Sequence, residues 1–137
     1  MIETNLKDYL AGYSGQWMDP LPEGAPPEVV LVPNNDVFYR ITLGNSLTNE
    51  DLISYLQKWP EKYQGEAKIL ASGVSVFDDL NAAKRKMKLP ALRNHKGIAK
   101  LTLYPADGVV KKSFGKYHYT WWRTQSFDLS KAEMEAL

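Results

Sequence analysis

Three short segments in the last third of the chain, each alternating apolar and polar residues, constrain the fold most strongly. They are "GIAKLTLYP", "GVVKKSF" and "KYHYTWWR", and turn-forming stretches such as "PADG" and "FGK" separate them. Alternation with a period of two, bounded by turn signals, is typical of strands joined by hairpins. We therefore expect an antiparallel sheet to occupy this part of the chain.

Earlier segments add further strands and helices to this sheet. "EVVLV" and "DVFYRITLG" are rich in β-branched and aromatic residues and are predicted as strands. A helix is predicted to open near Thr48, to carry Leu52, Tyr55, Leu56 and Trp59 on one face, and to end or kink at Pro60.

Two more helices are expected in the later half of the chain. The stretch "AKILASGVSVFDDLNAAKRKMKLP" is β-like in its first half and becomes a helix closed by Pro90, and Ser130 with Glu133 forms a capping-box pattern for a last short helix. The expected class is therefore α+β, with a mixed, largely antiparallel sheet and flanking helices.

Length and composition indicate one globular domain spanning residues 1–137, with residues 1–36 as a partly irregular, Pro-rich lead-in. The chain has no cysteine and only two histidines, which argues against a disulfide framework, a thiol nucleophile and a dedicated metal site. Neither a transmembrane run nor a secretory signal is recognisable, so we expect no membrane association and synthesis in the cytoplasm.

Charge is distributed unevenly along the chain. Between Lys84 and His118 ten Lys or Arg residues face a single acid, Asp107, so this segment carries about +9 and the remainder about −8. A basic block of this kind attracts phosphate, in a nucleotide or in a nucleic-acid backbone. The alternative is a solvated helix face followed by strand edges protected by lysine.

Three polar residues stand out from their surroundings, and each has a structural alternative. His118, between aromatic residues, suits acid or base chemistry near neutral pH or a core hydrogen bond. Arg40, within an apolar strand, is either a phosphate or ribose clamp or the partner of Asp78 or Asp79. Ser75, placed by this interpretation at a turn before a helix, either caps that helix or binds a ribose or phosphate.

The segments that carry these residues resemble a known family. "VFYRI", "SVFDDLNAAKRK" and "YPADGVVKKSFGKYHYT" are similar to the small bacterial effector toxins of the type VI secretion system that have an ADP-ribosyltransferase-like fold. The similarity is scattered over residues 37–125, and "SVFD" and "HYT" are its most specific parts.

The resemblance implies a split antiparallel sheet around a cleft for NAD. By position, Arg40 would hold the NAD phosphates, Ser75 would support the nicotinamide ribose, and His118 would occupy or adjoin the third catalytic position. The residues implied to contact the ligand beside them are Tyr117, Tyr119, Trp121, Trp122 and Gln125. The resemblance further implies a toxin that acts in the cytoplasm of a target cell, a macromolecular acceptor, and a cognate immunity protein.

Two departures separate this chain from the family's pattern. The family's Thr-Ser pair is Val74-Ser75 here, and "HYTWWRTQSF" holds no acidic residue where a carboxylate is expected. A ribonuclease or RNA-binding toxin is an alternative, in which the basic segment 84–118 follows the phosphates, the Tyr and Trp residues stack on bases, and His118 acts with Lys111, Lys112 or Lys116. A non-catalytic binding module is a third possibility.

Overall fold

The computed structural model describes residues 1–13 and 16–137; Ser14 and Gly15, part of the predicted irregular lead-in, lie outside the described residues. Its strands are β1 (Ile2–Asn5), β2 (Val29–Val32), β3 (Asp36–Thr42), β4 (Val74–Phe77), β5 (Gly97–Leu103), β6 (Gly108–Lys112), β7 (His118–Arg123) and β8 (Glu133–Met134). Its α-helices are α1 (Leu6–Gly12), α2 (Tyr55–Lys58), α3 (Gly65–Ala71) and α4 (Leu80–Met87). The strands form one sheet in the order β1-β2-β6-β7-β4-β3-β5-β8, with every neighbouring pair antiparallel. The predicted α+β class with an antiparallel sheet is confirmed.

The strands predicted from alternation and β-propensity are found where the sequence indicates them. β2 and β3 correspond to "EVVLV" and "DVFYRITLG", and β5, β6 and β7 correspond to the three segments at 97–123. The predicted helix closed by Pro90 is α4, and the Asp79 carboxylate caps it by accepting from the backbone N–H of Ala82. β1 and α1, inside the Pro-rich lead-in, were not predicted.

The continuous helix predicted from Thr48 is wrong. The chain forms a 3₁₀ turn at Asn49–Leu52, becomes extended at Ile53, and starts again as α2. A second cap causes the break, because the Ser54 hydroxyl accepts from the Gln57 N–H while the Gln57 side chain accepts from the Ser54 N–H. The supposed apolar face is therefore divided: Leu52 is buried, whereas Tyr55 and Trp59 are exposed.

Two other predictions of secondary structure are wrong. The segment read as β-like before Gly73 is helix α3, and Ser75 lies within strand β4, not in a turn before α4. The predicted last helix is a 3₁₀ turn at Leu129–Lys131 followed by β8, because Asp128 takes the cap by accepting from the Ser130 N–H.

The core lies on both faces of the sheet. Trp121 packs on one face with Phe38, Val76 and Leu101, and Trp122 packs on the other with Val109. Successive residues of a strand point to opposite faces, so β7 contributes one large ring to each layer.

β3 and β4 are paired over only a short length. Their register is limited to Tyr39 opposite Phe77, whereas β3 pairs with β5 over seven residues. The guanidinium of Arg40 lies beside this short pairing, where its Nη1 donates to the Ser75 carbonyl at 2.9 Å. The Arg40 side chain thus supplies the hydrogen bond that a neighbouring strand would otherwise donate to the Ser75 carbonyl. This carbonyl is therefore paired although β3 and β4 diverge.

Candidate functional site

A cavity of about 460 Å³ lies over the short pairing between β3 and β4. Arg40 of β3, Ser75 of β4 and His118 of β7 all line it, although 78 positions of sequence separate the first from the last. The convergence follows from strand order, because β7, β4 and β3 are consecutive in the sheet. A second cavity of about 470 Å³ adjoins the first and shares Ser75, Phe77 and His118 with it.

Arg40 is held by backbone carbonyls. Its Nε and Nη2 donate to the carbonyl of Asp51 at 3.0 and 2.6 Å, and Nη1 donates to that of Ser75. Of the two alternatives for Arg40, the ion pair with Asp78 or Asp79 is not formed, since neither carboxylate lies within ion-pair distance. A guanidinium has five N–H donors, so two remain for a ligand.

Burial lowers the pKa of Arg40, and the nearby Tyr55 and Asp51 partly offset the shift. An arginine nevertheless keeps its proton in proteins. The cavity therefore contains a buried positive charge whose direct hydrogen-bond partners are neutral. An anion placed beside it would gain strongly, because burying a charge without a counter-ion is costly.

His118 is fixed in one orientation by its Nδ1. This atom lies 2.9 Å from the Ser113 carbonyl and 3.1 Å from the Ser113 hydroxyl, which is itself 2.8 Å from the Thr120 hydroxyl. Because a carbonyl only accepts, Nδ1 carries the proton in the neutral ring, and Nε2 presents a lone pair. Within the described part of the chain, Nε2 has no hydrogen-bond partner.

The surroundings of His118 favour its neutral form. Burial lowers its pKa, the hydrogen bond to the Ser113 carbonyl opposes that effect, and the charges of Lys86 and Arg40 lower the pKa further. A neutral imidazole with a free Nε2 is equipped to accept a proton.

Ser75 lies opposite Thr120 in the β4–β7 register. Its side chain lines both cavities, and its carbonyl anchors Arg40. Thr120 lines the second cavity and was not singled out from the sequence. The pair places two hydroxyl-bearing residues side by side on the floor of the site.

The aromatic residues expected to stack on the ligand are elsewhere. Tyr119 and Trp121 are core residues, in edge-to-face contact with Phe38 at 5.3 Å and with Phe127 at 4.8 Å. Trp122 is buried on the opposite face, where its Nε1 donates to the Ser72 hydroxyl. These three rings contribute packing and do not line the cavity shared by Arg40, Ser75 and His118.

Tyr117 and Gln125 are also outside this cavity. Tyr117 is half-buried beneath the guanidinium of Arg85, 6.0 Å from its ring centroid. Gln125 is exposed, and its Nε2 donates to the Gln16 side chain at 3.5 Å. The aromatic run "YHYTWW" therefore contributes mainly to packing, and of its residues His118 and Thr120 line the two cavities.

Other aromatic residues take the place that those rings were expected to fill. Tyr55, Trp59 and Tyr63 lie at the mouth of the cavity, and Phe114 lines the adjoining one. The Phe114 ring is 5.3 Å from the His118 ring and 74% exposed, on a backbone with φ of 53°. Tyr55 and Trp59 were predicted on one face of the helix from Thr48, and Tyr63 was not singled out from the sequence.

The cavity is strongly basic. Its cationic lining residues are Arg40, Lys58, Lys62 and Lys86, and both histidines of the chain line it. No Asp or Glu belongs to the lining of either cavity within the described residues. The Nδ1 of His95 is buried without a hydrogen-bond partner.

Only part of the basic segment 84–118 faces this cavity. Lys86, His95 and His118 line it, whereas Lys111 donates to the Val29 carbonyl at a separate position on the sheet. The proposed cooperation of His118 with Lys111 therefore lacks a shared site. Lys58 of α2 and Lys62 after it, both outside the basic segment, supply part of the positive charge.

Comparisons with protein-family models, curated proteins and solved structures give no match to this chain. In the described ranges, no cluster of three or more His, Asp or Glu side chains is arranged to hold a metal ion. Across the same ranges, none of the helices combines the length and apolar character that crossing a membrane requires.

Proposed function

We propose that this protein is an NAD-dependent ADP-ribosyltransferase acting on a macromolecule. The observation that carries the proposal is the shared cavity of Arg40, Ser75 and His118 on three neighbouring strands. These are the residues that the toxin resemblance singled out. The resemblance also leads us to propose a type VI effector toxin that acts in the cytoplasm of a target cell and has a cognate immunity protein.

The donor set of the cavity fits NAD. The two free N–H groups of Arg40, with Lys58, Lys62 and Lys86, suit a pyrophosphate, and Phe77 and Phe114 offer apolar surfaces to a planar ring. Each of the adjoining cavities falls in the size range of small-molecule sites, about 300–1,000 Å³. Together they give room for a molecule with two nucleoside halves.

His118 is the proton acceptor in the mechanism we propose. Bound NAD supplies an activated ribosyl group whose nicotinamide leaves as a neutral molecule. The Nε2 of His118 takes the proton of the attacking acceptor, and Arg40 and Lys86 hold the phosphates so that the ribose stays beside Ser75. Among the described residues the lining has no carboxylate, so in this mechanism the negative charge near the reacting ribose comes from the pyrophosphate itself.

The test combines NAD binding with NAD consumption. Wild-type protein is expected to show a higher melting temperature with NAD and to release nicotinamide when extracts supply acceptors. Arg40→Gln should weaken binding, whereas His118→Gln should retain binding and lose turnover. Arg93→Gln, which removes an exposed arginine outside the cavity lining, is the charge-matched control. The same variants expressed in a naive bacterium report on toxicity.

Absence of both NAD binding and nicotinamide release, with acceptors present, would refute the proposal. Growth arrest that persists in folded Arg40→Gln, Ser75→Ala and His118→Gln variants would favour a non-catalytic binding module. Growth arrest that is lost in these variants supports catalysis at the cavity.

Metal-independent cleavage of RNA is the second candidate, because His95 and His118 line the same cavity with Arg40 and Lys86. Two imidazoles can act as base and acid on a phosphodiester while the cations stabilise the phosphoryl charge. Labelled RNA should then be cut without NAD, and both His95→Ala and His118→Ala should lose the cleavage. Intact RNA in the presence of folded wild-type protein excludes this candidate.

A further inference from the structure

Helix α2 and the turn after it expose an aromatic and basic surface. Tyr55 is 47% exposed and Trp59 is 49% exposed, and their rings are stacked with centroids 5.6 Å apart. Lys58 Nζ lies 5.8 Å from the Tyr55 ring, and Lys62 Nζ lies 5.2 Å from the Trp59 ring and 5.6 Å from the Tyr63 ring. We call this surface the α2 platform, formed by Tyr55, Lys58, Trp59, Lys62 and Tyr63.

The platform is not explained by core packing. Two of its rings remain about half accessible to water in a domain that buries Trp121 and Trp122 fully or nearly so. Its lysines also lack carboxylate partners, since no Lys or Arg in the described residues lies within 4 Å of an Asp or Glu side chain. Large exposed rings together with unpaired cations indicate a binding surface for another molecule.

The platform continues into the cavity. All five of its residues line the mouth of the first cavity, and Tyr55 and Tyr63 also line the second, where His118 and Thr120 lie. A polymer held on the platform can therefore present one of its groups to the Nε2 of His118. This continuity links the surface to the proposed reaction.

We infer that the α2 platform binds single-stranded nucleic acid, which is the acceptor of the ADP-ribosyl group. The inference rests on the proposed function. Stacked, exposed rings provide surfaces for unpaired bases, and the lysines beside them supply the positive charge that backbone phosphates attract. An acidic protein would use the lysines but would gain little from the rings, so the combination favours nucleic acid.

The transfer on this acceptor balances as a substitution at the ribose carbon. The bond from that carbon to the nicotinamide nitrogen breaks, and nicotinamide leaves with the electron pair. A hydroxyl or base amine of the nucleic acid supplies the electron pair for the new bond. Its proton passes to the Nε2 of His118 and then to water.

The experiment measures binding of single-stranded RNA and DNA oligonucleotides without NAD. Trp59→Ala is expected to weaken binding by about 5- to 150-fold, the loss typical of one stacked base, whereas Tyr104→Ala, a similarly exposed tyrosine outside the cavities, should leave binding unchanged. Lys58→Ala with Lys62→Ala should lower the slope of log affinity against log salt by about 0.7 for each lost phosphate contact. Lys7→Ala with Lys131→Ala, the same charge change on exposed residues elsewhere, should not.

Transfer is then tested by mass spectrometry of the oligonucleotide after incubation with NAD. Gain of one ADP-ribosyl group, lost in both Trp59→Ala and His118→Gln, supports the inference. Affinity for poly-glutamate equal to that for the oligonucleotides and insensitive to Trp59→Ala overturns it, as does the absence of oligonucleotide binding.

The two proposals fail in distinguishable ways. NAD binding without oligonucleotide binding rejects the acceptor and leaves the proposed function standing. Oligonucleotide binding without NAD binding or ADP-ribosyl gain rejects the transferase, and also the acceptor role of the nucleic acid. Cleavage of the oligonucleotide without NAD also rejects the transferase and the acceptor role of the nucleic acid, and it assigns the platform to RNA cleavage, the second candidate function.

Discussion

Asp51 offers the sharpest test of how the site is built. Its carboxylate is only 5% exposed and accepts from the backbone N–H groups of Leu43 and Thr48 at 2.8 and 2.9 Å, and from the Thr48 hydroxyl at 3.1 Å. Its carbonyl accepts two donors from Arg40. The residue therefore connects the end of β3, the 3₁₀ turn and the buried guanidinium.

We expect Asp51→Ala to lower the free energy of unfolding by about 2–3 kcal/mol. Two backbone N–H groups lose their partner, and an orphaned buried donor costs about 1–3 kcal/mol. The lower end of the resulting range of about 2–6 kcal/mol applies because Leu43 and Thr48 are exposed, so water reaches part of the vacated space. Asp51→Asn, which keeps one acceptor oxygen, should cost about half as much.

Urea unfolding measures the change, and the midpoint should fall by about 1–2 M. Glu50→Ala is the matched control, because it removes the same charge from a neighbouring exposed residue of the same 3₁₀ turn. NAD affinity should fall in Asp51→Ala and not in Glu50→Ala, since the loosened turn no longer fixes Arg40. Equal stability of the two variants within about 0.5 kcal/mol would refute the reasoning.

Three further outcomes are expected. The pKa of His118 is lowered, so its native form binds fewer protons than the unfolded chain. Urea unfolding should therefore show a free energy of unfolding that falls as the pH drops below about 6.5, and this fall should be smaller in His118→Gln. Burial raises the pKa of Tyr9 to about 12, and its hydroxyl donates to the Pro105 carbonyl at 2.7 Å. Tyr9→Phe should therefore lower the free energy of unfolding by about 1 kcal/mol at neutral pH. It should also remove the loss of stability that the wild type is expected to show between about pH 10 and 12. Phe114→Gly should weaken NAD binding in a titration while thermal melting shows stability unchanged or raised by up to about 1 kcal/mol, because glycine relieves the positive φ and the ring is largely exposed.

Local patterns predicted the strands well and the helices less well. β5, β6 and β7 are marked by apolar and aromatic residues between turn formers, so neighbouring residues carry the signal. The break before α2 depends on Ser54 and Gln57 capping each other, which competed successfully with an apolar spacing typical of one longer helix. The strand β8 depends on pairing with β5, a contact that no local pattern contains.

The candidate site was predicted in part for the same reason. Arg40, Ser75 and His118 were conspicuous as polar residues in apolar segments, and they do line one cavity. The rings around them were assigned wrongly, because strand alternation does not say which face of β7 meets a cavity and which meets a neighbouring layer. The role of Asp51 as the anchor of Arg40 comes from its backbone carbonyl, an atom that every residue has.

The two walls of the cavity differ in how readily they can move. One wall is the interior of an eight-stranded sheet, and the other includes α2, a helix of only four residues. Deuterium should therefore enter the amides of β4 and β7 only when the whole domain opens, while α2 exchanges through local fluctuation. Such a division lets Arg40, Ser75 and His118 keep their relative positions while the entrance adapts to molecules of different width.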